Sequence, residues 1–382
     1  MLDKKLKNIV HGKKLSLLGV GPMSKNCVDV SVEIADQYQI PLMLIASRRQ
    51  IDSEEFGGGY VNNWSTSEYA GYINKIKKTD NILLARDHGG PWQNEQEKNM
   101  SLDQAMRSAK NSYMADIDAG FHILHIDPSI DPRSCPTKSQ ILDRIFELYE
   151  FCWEYAQSKN SEIIFEIGTE EQSGGTNTYE ELQDTLGKMR EFTTKNRLPF
   201  PTFVVVQTGT KVMETTNIGS FESPIRVENE LPCEIQIPKI LEICNQNDIL
   251  MKEHNADYLT DDSLKWHPRL GIHAVNVAPE FGVAETKAIL NILQQNKMNQ
   301  LIDNFYNCAF DSLKWKKWML PNTKKEKKEK SIIAGHYIFS SKAFLDIKKA
   351  MYQKLGKEIV ENELRKQVKE SILRYVKNFR LI

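Results

Sequence analysis

Ile82-Leu83-Leu84-Ala85-Arg86-Asp87-His88-Gly89-Gly90-Pro91-Trp92 is the stretch on which the fold reading turns. An apolar, β-prone run ends abruptly in a carboxylate, an imidazole and two glycines, so reactive side chains emerge where a buried strand breaks into a loop. Enzymes built on parallel barrels carry their chemistry at such strand exits. The pattern recurs downstream. Ile163-Ile164-Phe165-Glu166-Ile167-Gly168 places an acid inside another apolar run, and Lys252-Glu253-His254-Asn255-Ala256-Asp257 ends a third.

Working outward from 82–86, further short apolar runs lie near 15–20, 41–46, 122–127, 162–167, 202–207, 248–253 and 272–277, eight in all. Between them the 3.6-residue periodicity predicts helices over 25–38, 67–78, 101–119, 137–158, 178–195, 235–247, 259–267 and 283–296, several opened by Ser, Thr or Asp caps. Regular strand–helix alternation implies a parallel sheet. A doubly wound open sheet fits the alternation equally well. Eight units in about 300 residues, with polar groups at most strand exits, favour a closed (β/α)8 TIM barrel over residues 1–300. Beyond 300 the pattern is helical only, which predicts an extension over 301–382 that packs on the barrel or on a partner. Lys324-Lys325-Glu326-Lys327-Lys328-Glu329-Lys330 reads as a solvated loop or helix end, because its charges partly cancel and no aromatics interleave them.

Bulk composition narrows the class. The 382 residues carry 50 Lys+Arg against 51 Asp+Glu, a formal net charge of −1, so no global field attracts nucleic acid or an acidic membrane. Cys27, Cys135, Cys152, Cys233, Cys244 and Cys308 form no C-x-x-C pair, which argues against a zinc ribbon and a disulfide scaffold and suits a reduced cytoplasmic compartment. No signal-like leader and no run of eighteen apolar residues occurs, so neither export nor a membrane span is expected. The phosphate loop of P-loop enzymes, the dinucleotide glycine fingerprint and the serine nucleophile elbow are all missing.

The candidate site is assembled from strand exits. Alternation puts Asp87 and His88 on opposite sides until the loop bends, so His88 is assigned to a metal and Asp87 to proton transfer. A capped loop with a hydrogen-bonded His is the structural alternative. Glu166, buried in its strand, needs a cation or donors to be tolerable. His254 is the third candidate ligand, and Lys252, on the same side, is expected to pair with a carboxylate such as Glu166. Glu170, beside Gly174-Gly175, is a candidate acid or base on a loop, or a solvated carboxylate. Ser47, Gln207, Gly209, Asn255 and Asn276, at or just beyond strand ends, are the candidate substrate contacts, with N–H groups near Gly209 suited to phosphate. Gly57-Gly58-Gly59-Tyr60 is a candidate lid. Imidazole and carboxylate donors with open positions suit a divalent metal, Zn2+ first.

In order, Gly58-Gly59-Tyr60, Asp87-His88 with Gly90-Pro91, Ala119-Gly120-Phe121 with His125-Ile126-Asp127, Ile167-Gly168-Thr169-Glu170, Val204-Val205-Val206-Gln207 and His254-Asn255-Ala256-Asp257-Tyr258 resemble the Z-subunit family of class II tagatose-bisphosphate aldolase. That family is associated with the catalytic Y subunit of the aldolase and has also been labelled a tagatose 6-phosphate kinase. The resemblance implies a class II aldolase-like barrel acting on a phosphorylated sugar. Asp87 would then donate a proton to the aldehyde, His88 and His254 would ligate the metal, Glu170 would be the loop carboxylate, and Asn276 would contact the enediolate. It equally implies a non-catalytic subunit that stabilises a catalytic aldolase chain, with a homo-oligomer, a sugar-phosphate kinase and an isomerase as further expectations. One position departs from the pattern: Gln207 stands where catalytic relatives carry a His, and Thr208-Gly209-Thr210 replaces an expected Gln-Pro-Gly. Weaker zinc binding and a changed sugar are the expected consequences.

Overall fold

A computed structural model describes residues 2–169, 178–221 and 232–382. Eight parallel strands close on themselves: β1 (Leu17–Val20), β2 (Leu42–Ser47), β3 (Ile82–Gly89), β4 (Ile123–Ile126), β5 (Ile164–Ile167), β6 (Phe203–Val206), β7 (Leu250–Glu253) and β8 (Ala274–Val277). Each pairs with its sequence neighbours, and β8 pairs with β1 through Leu17↔Ala274 to Val20↔Val277. Helices follow the strands in turn, so the expected (β/α)8 TIM barrel is the fold observed. Most barrel strands are only four residues long and fully buried, which explains why they read as continuous apolar runs rather than as alternating ones.

Helix entry follows the capping chemistry of the sequence. Ser65, Ser101, Thr137 and Thr178 each accept from the backbone N–H three residues on, while Glu68, Gln104, Gln140 and Glu181 reach back to the cap. Two elements escape the sequence pattern. A helix at Leu2–Lys13 buries Leu6 and Val10 against the barrel, and its Asp3 accepts from Thr202 Oγ1 just before β6, at the N-terminal end of the strands. A two-residue hairpin, Val212–Met213 with Thr216–Asn217, stands in the loop after β6 at the opposite end.

The C-terminal helix Lys357–Asn378 lies against helices Lys25–Tyr38 and Pro279–Gln295, and Val368, Ile372, Tyr375 and Val376 join the main core. A second apolar cluster, including Leu293, Phe305, Phe344, Ile347 and Met351, links Pro279–Gln295 to helices Asn299–Asp311 and Lys342–Leu355. Glu33 accepts from both Arg365 (2.8 Å) and Lys369 (2.7 Å). The basic run at 324–330 leads into a helix at Lys327–Ala334. No helix among the described residues is long and apolar enough to cross a membrane.

Several charged groups buried outside the barrel axis are paired. Arg86 spans Asp116 (Nη2–Oδ1 2.5 Å) and the carbonyls of Ala46 and Ile51, tying β3 to the helix behind it and to the loop after β2. Arg48 bridges Asp52 and Glu97. His267, on helix Asp261–Leu270, meets Glu253 at 2.7 Å with neither side chain exposed. Burial opposes charge on His267, but Glu253 outweighs it and raises the imidazole above its ordinary value.

A native value above the unfolded one means that this ion pair contributes fully below about pH 6.5 and is lost as pH rises through the folded value. Urea titrations above pH 6.5 should therefore show a falling stability component that Glu253→Gln removes. His267→Leu, which strands Glu253 without its partner, should cost about 3–5 kcal/mol at neutral pH.

Candidate active site

The site forms at the C-terminal ends of β3, β4, β5, β7 and β8. Register explains which side chains meet. His125 and Glu166 are cross-strand partners on β4 and β5, so they occupy the same level of the barrel wall. Lys252 reaches Glu166 across the intervening β6, which places both side chains in the barrel interior. Pairing between β3 and β4 slips between Arg86 and Gly89, and His88 takes a left-handed φ of 47°. This irregularity breaks strict alternation, so Asp87 and His88 both turn toward the mouth rather than to opposite faces.

At the centre, Glu166 accepts from Lys252 Nζ through Oε2 (2.5 Å), while its Oε1 faces His254 Nε2 (3.0 Å) and His125 Nδ1 (3.6 Å). Asp87 Oδ1 lies 3.8 Å from both His125 Nδ1 and His254 Nε2 and accepts from Asn276 Nδ2 (3.2 Å). Asn276 is register partner to Gly19, where any Cβ would fall 2.2 Å from the Asn276 amide oxygen; the missing side chain is the space that Asn276 fills. Gly168 plays the same part for His125, since a Cβ there would lie 2.6 Å from Nε2. Beside the cluster, His88 Nδ1 contacts Asp127 Oδ2 at 2.7 Å, and Asp127 also accepts from Ser129.

Electrostatics follow this geometry. Burial alone would raise the Glu166 carboxyl, but the Lys252 ammonium, helped by His125 and His254, pulls it down to about 2. Asp87 is also desolvated, and His88, His254 and His125 hold it well below the carboxylate range. Desolvation likewise disfavours the charged form of His88, yet Asp87 and Asp127 raise it to about 9. His254 is lowered by burial. The resting cluster is therefore ionised carboxylates held by a neighbouring ammonium and imidazoles.

One donor atom from each of Asp87, His125, Glu166 and His254 lies within 4.8 Å of every other. Tetrahedral coordination with bonds of 2.0–2.2 Å needs ligand–ligand separations of about 3.4 Å. The four imidazole–carboxylate separations, 3.0 to 3.8 Å, bracket that value, with His125 Nδ1 also accepting from His88 N at 3.1 Å, and two imidazoles with two carboxylates are a donor set suited to zinc and its neighbours. These residues fit a divalent ion. His88, oriented by Asp127 as metal-binding imidazoles are by a second carboxylate, stands ready as a further ligand.

Of the residues expected from sequence, Asp87, Glu166, His254 and Asn276 come together, with His88 adjoining. Ser47 and Asn255 line the cavity of about 620 Å³ above the cluster, alongside Asp87, His88 and Asp127. Asn255 takes a left-handed φ of 62° as the chain leaves β7. Gln207 is buried directly after β6, and Gly209 (φ 84°) accepts from Phe221 N within that loop. Glu170 lies outside the described residues. The pairing of Lys252 with Glu166 is as expected. His125 and Asp127 are the members that sequence reasoning left out, although both sit in the quoted His125-Ile126-Asp127 segment at a strand exit of the same kind as Asp87-His88.

The fold is a closed (β/α)8 barrel that carries this His and carboxylate cluster at its C-terminal mouth. The chain belongs to the D-tagatose-1,6-bisphosphate aldolase subunit GatZ/KbaZ-like family, whose model matches residues 2–308. Among solved structures it is similar to a probable tagatose 6 phosphate kinase from Sinorhizobium meliloti 1021, at TM-score 0.74 and 15% identity over 96% of this chain and 100% of that one. It is also similar to the fructose-bisphosphate aldolase of Campylobacter jejuni (TM-score 0.59, 10% identity, 99% and 94% covered). The fructuronate-tagaturonate epimerase UxaE of Cohnella laeviribosi is a third match (TM-score 0.59, 11% identity, 96% and 82% covered). At these identities the structural matches speak to the fold.

The two glycines offer a test of the packing argument. Gly19→Ala should displace Asn276 and cost about 1–3 kcal/mol in thermal unfolding. Gly168→Ala should push the His125 ring and weaken divalent-metal binding measured by titration calorimetry, with the wild-type chain as reference.

Proposed function

We propose that the chain is a metal-dependent lyase of the class II aldolase type, cleaving and re-forming a carbon–carbon bond in a ketose phosphate. The observation that carries this reading is the convergence of Asp87, His125, Glu166 and His254 on one point at the barrel mouth, under a cavity large enough for a sugar phosphate. Glu166, His254 and His88 would hold the ion, with His125 as an additional ligand. When bound, a divalent ion, zinc first, would polarise a ketone oxygen and stabilise the negative charge that develops there.

The remaining work falls to side chains. Asp87, kept ionised by its imidazole neighbours, accepts the proton of the substrate hydroxyl as the carbon–carbon bond breaks and the bonding electron pair passes toward the ketone carbon. In the reverse direction it returns that proton to the aldehyde oxygen. Asn276 orients Asp87 and is assigned a contact to the same substrate atoms. Lys252 neutralises the second oxygen of Glu166, so the carboxylate presents one oxygen to the mouth. Glu170 is assigned the loop acid or base. Ser47, Gln207, Gly209 and Asn255 are assigned to the sugar and its phosphate.

A second reading is favoured by one specific observation. The family is described as an aldolase subunit. On that reading the chain stabilises a separate catalytic aldolase subunit, and the helical extension over 301–382 is a candidate contact for it or for a second copy.

Metal content and retro-aldol turnover separate the two. For a lyase, the purified chain should bind about one divalent ion, lost together with cleavage in His88→Ala and His254→Ala, and Asp87→Asn should lose about 10²–10⁴-fold in kcat. A folded chain that stays metal-free and inactive, yet forms a stable complex with a separate aldolase barrel, would sink the first reading and support the second.

A further inference from the structure

We infer that the segment following helix Asn299–Asp311 supplies an anion subsite to the barrel mouth, in which Lys317 and Arg49 hold the phosphate end of the substrate. The inference rests on the sugar-phosphate reading above and adds where, and by which side chains, the anionic end is recognised.

Four exposed or half-buried cations line the cavity that also holds Asp87 and His88: Arg49 from the loop after β2, Lys211 from the loop after β6, and Lys314 and Lys317 from beyond the barrel pattern. They are not equivalent. Lys314 is committed to Glu95 at 2.6 Å. Lys317 has no carboxylate within ion-pair distance among the described residues; its ammonium lies over the rings of Trp318 (4.5 Å) and Tyr337 (5.5 Å). Arg49 likewise has no carboxylate within ion-pair distance there, although its charge acts on Glu95. Of the cavity's carboxylates, Asp127 is engaged by His88, Asp87 belongs to the cluster, and Glu95 is taken by Lys314. Positive charge is left over on the wall of this concave mouth.

The wall is built rather than loosely draped. Glu214 N donates to Trp318 O at 2.6 Å, and Thr323 Oγ1 donates to Glu214, so the segment is stitched to the hairpin after β6. On the other side Ser340 Oγ donates to Tyr60 O (2.8 Å), and Tyr60 packs on Tyr337 (4.7 Å), joining the Gly57–Tyr60 loop to the same segment. Lys314 reaches the loop region after β3 through Glu95. The rings of Trp318 and Tyr337 position the Lys317 ammonium itself, and with no carboxylate in ion-pair range its N–H donors suit a dianion such as a phosphate monoester.

Binding of inorganic phosphate and of tagatose 6-phosphate to the full chain, followed by calorimetry with tagatose and chloride as controls, tests this. Lys317→Met keeps the packing and removes the charge; it and Arg49→Gln should each weaken both phosphate ligands about tenfold. Lys317→Arg should retain binding, and Lys314→Met should matter less. Tagatose itself should be indifferent to all four. Unchanged phosphate affinity in folded Lys317→Met and Arg49→Gln, or phosphate binding no tighter than chloride, would overturn the subsite even if metal-dependent turnover is intact. Phosphate binding that depends on Lys317 in a chain without turnover would uphold the subsite and count only against the catalytic reading.

Discussion

The ion pair between Glu166 and Lys252 in the barrel interior is the constraint around which the mouth is organised. Neither side chain reaches solvent, so each is tolerable only because the other is within 2.5 Å. Closure of the sheet makes that contact possible, since β5 and β7 are separated by β6 and their residues meet only across the interior. The pair fixes one Glu166 oxygen, which leaves the other to gather His254 and His125. Those imidazoles in turn keep Asp87 ionised beside Asn276. Removing the ammonium would therefore disturb a chain of charges rather than one contact.

A second layer of constraint comes from glycines and from a slipped register. Gly19 and Gly168 leave room for Asn276 and His125 at their own levels of the wall. The irregular pairing before Gly89 lets two consecutive residues, Asp87 and His88, face one cavity. A regular strand would present only one of them. Local imperfection in β3 thus doubles the number of reactive groups that this strand delivers.

Much of this was legible in the chain. All eight strands lie where short apolar runs were read, because parallel strands covered on both sides must be apolar throughout. Six of the eight intervening helices begin at a Ser or Thr cap, and the partner of Lys252 follows from strand direction. His125 and Asp127 were missed for a physical reason: a single His in an apolar run looks the same whether it ligates, hydrogen-bonds a backbone group or fills core. The helix at Leu2–Lys13 is lysine-rich with few apolar positions, so its docking against the barrel shows only once the barrel exists. The hairpin at 212–217 is too short to carry a period.

Sequence by itself determined the barrel class, the approximate span of each barrel strand and of the helices between them, and the strand exits at which Asp87, Glu166, His254 and Asn276 would appear, because these depend on periodicity, capping and polarity within a few residues. Tertiary structure alone decided which exits share a point, that both Asp87 and His88 turn inward, and that Lys317, some 230 residues from Asp87 in sequence, lines the same cavity. Register, twist and closure set distances between residues far apart in the chain, and no local pattern encodes those distances.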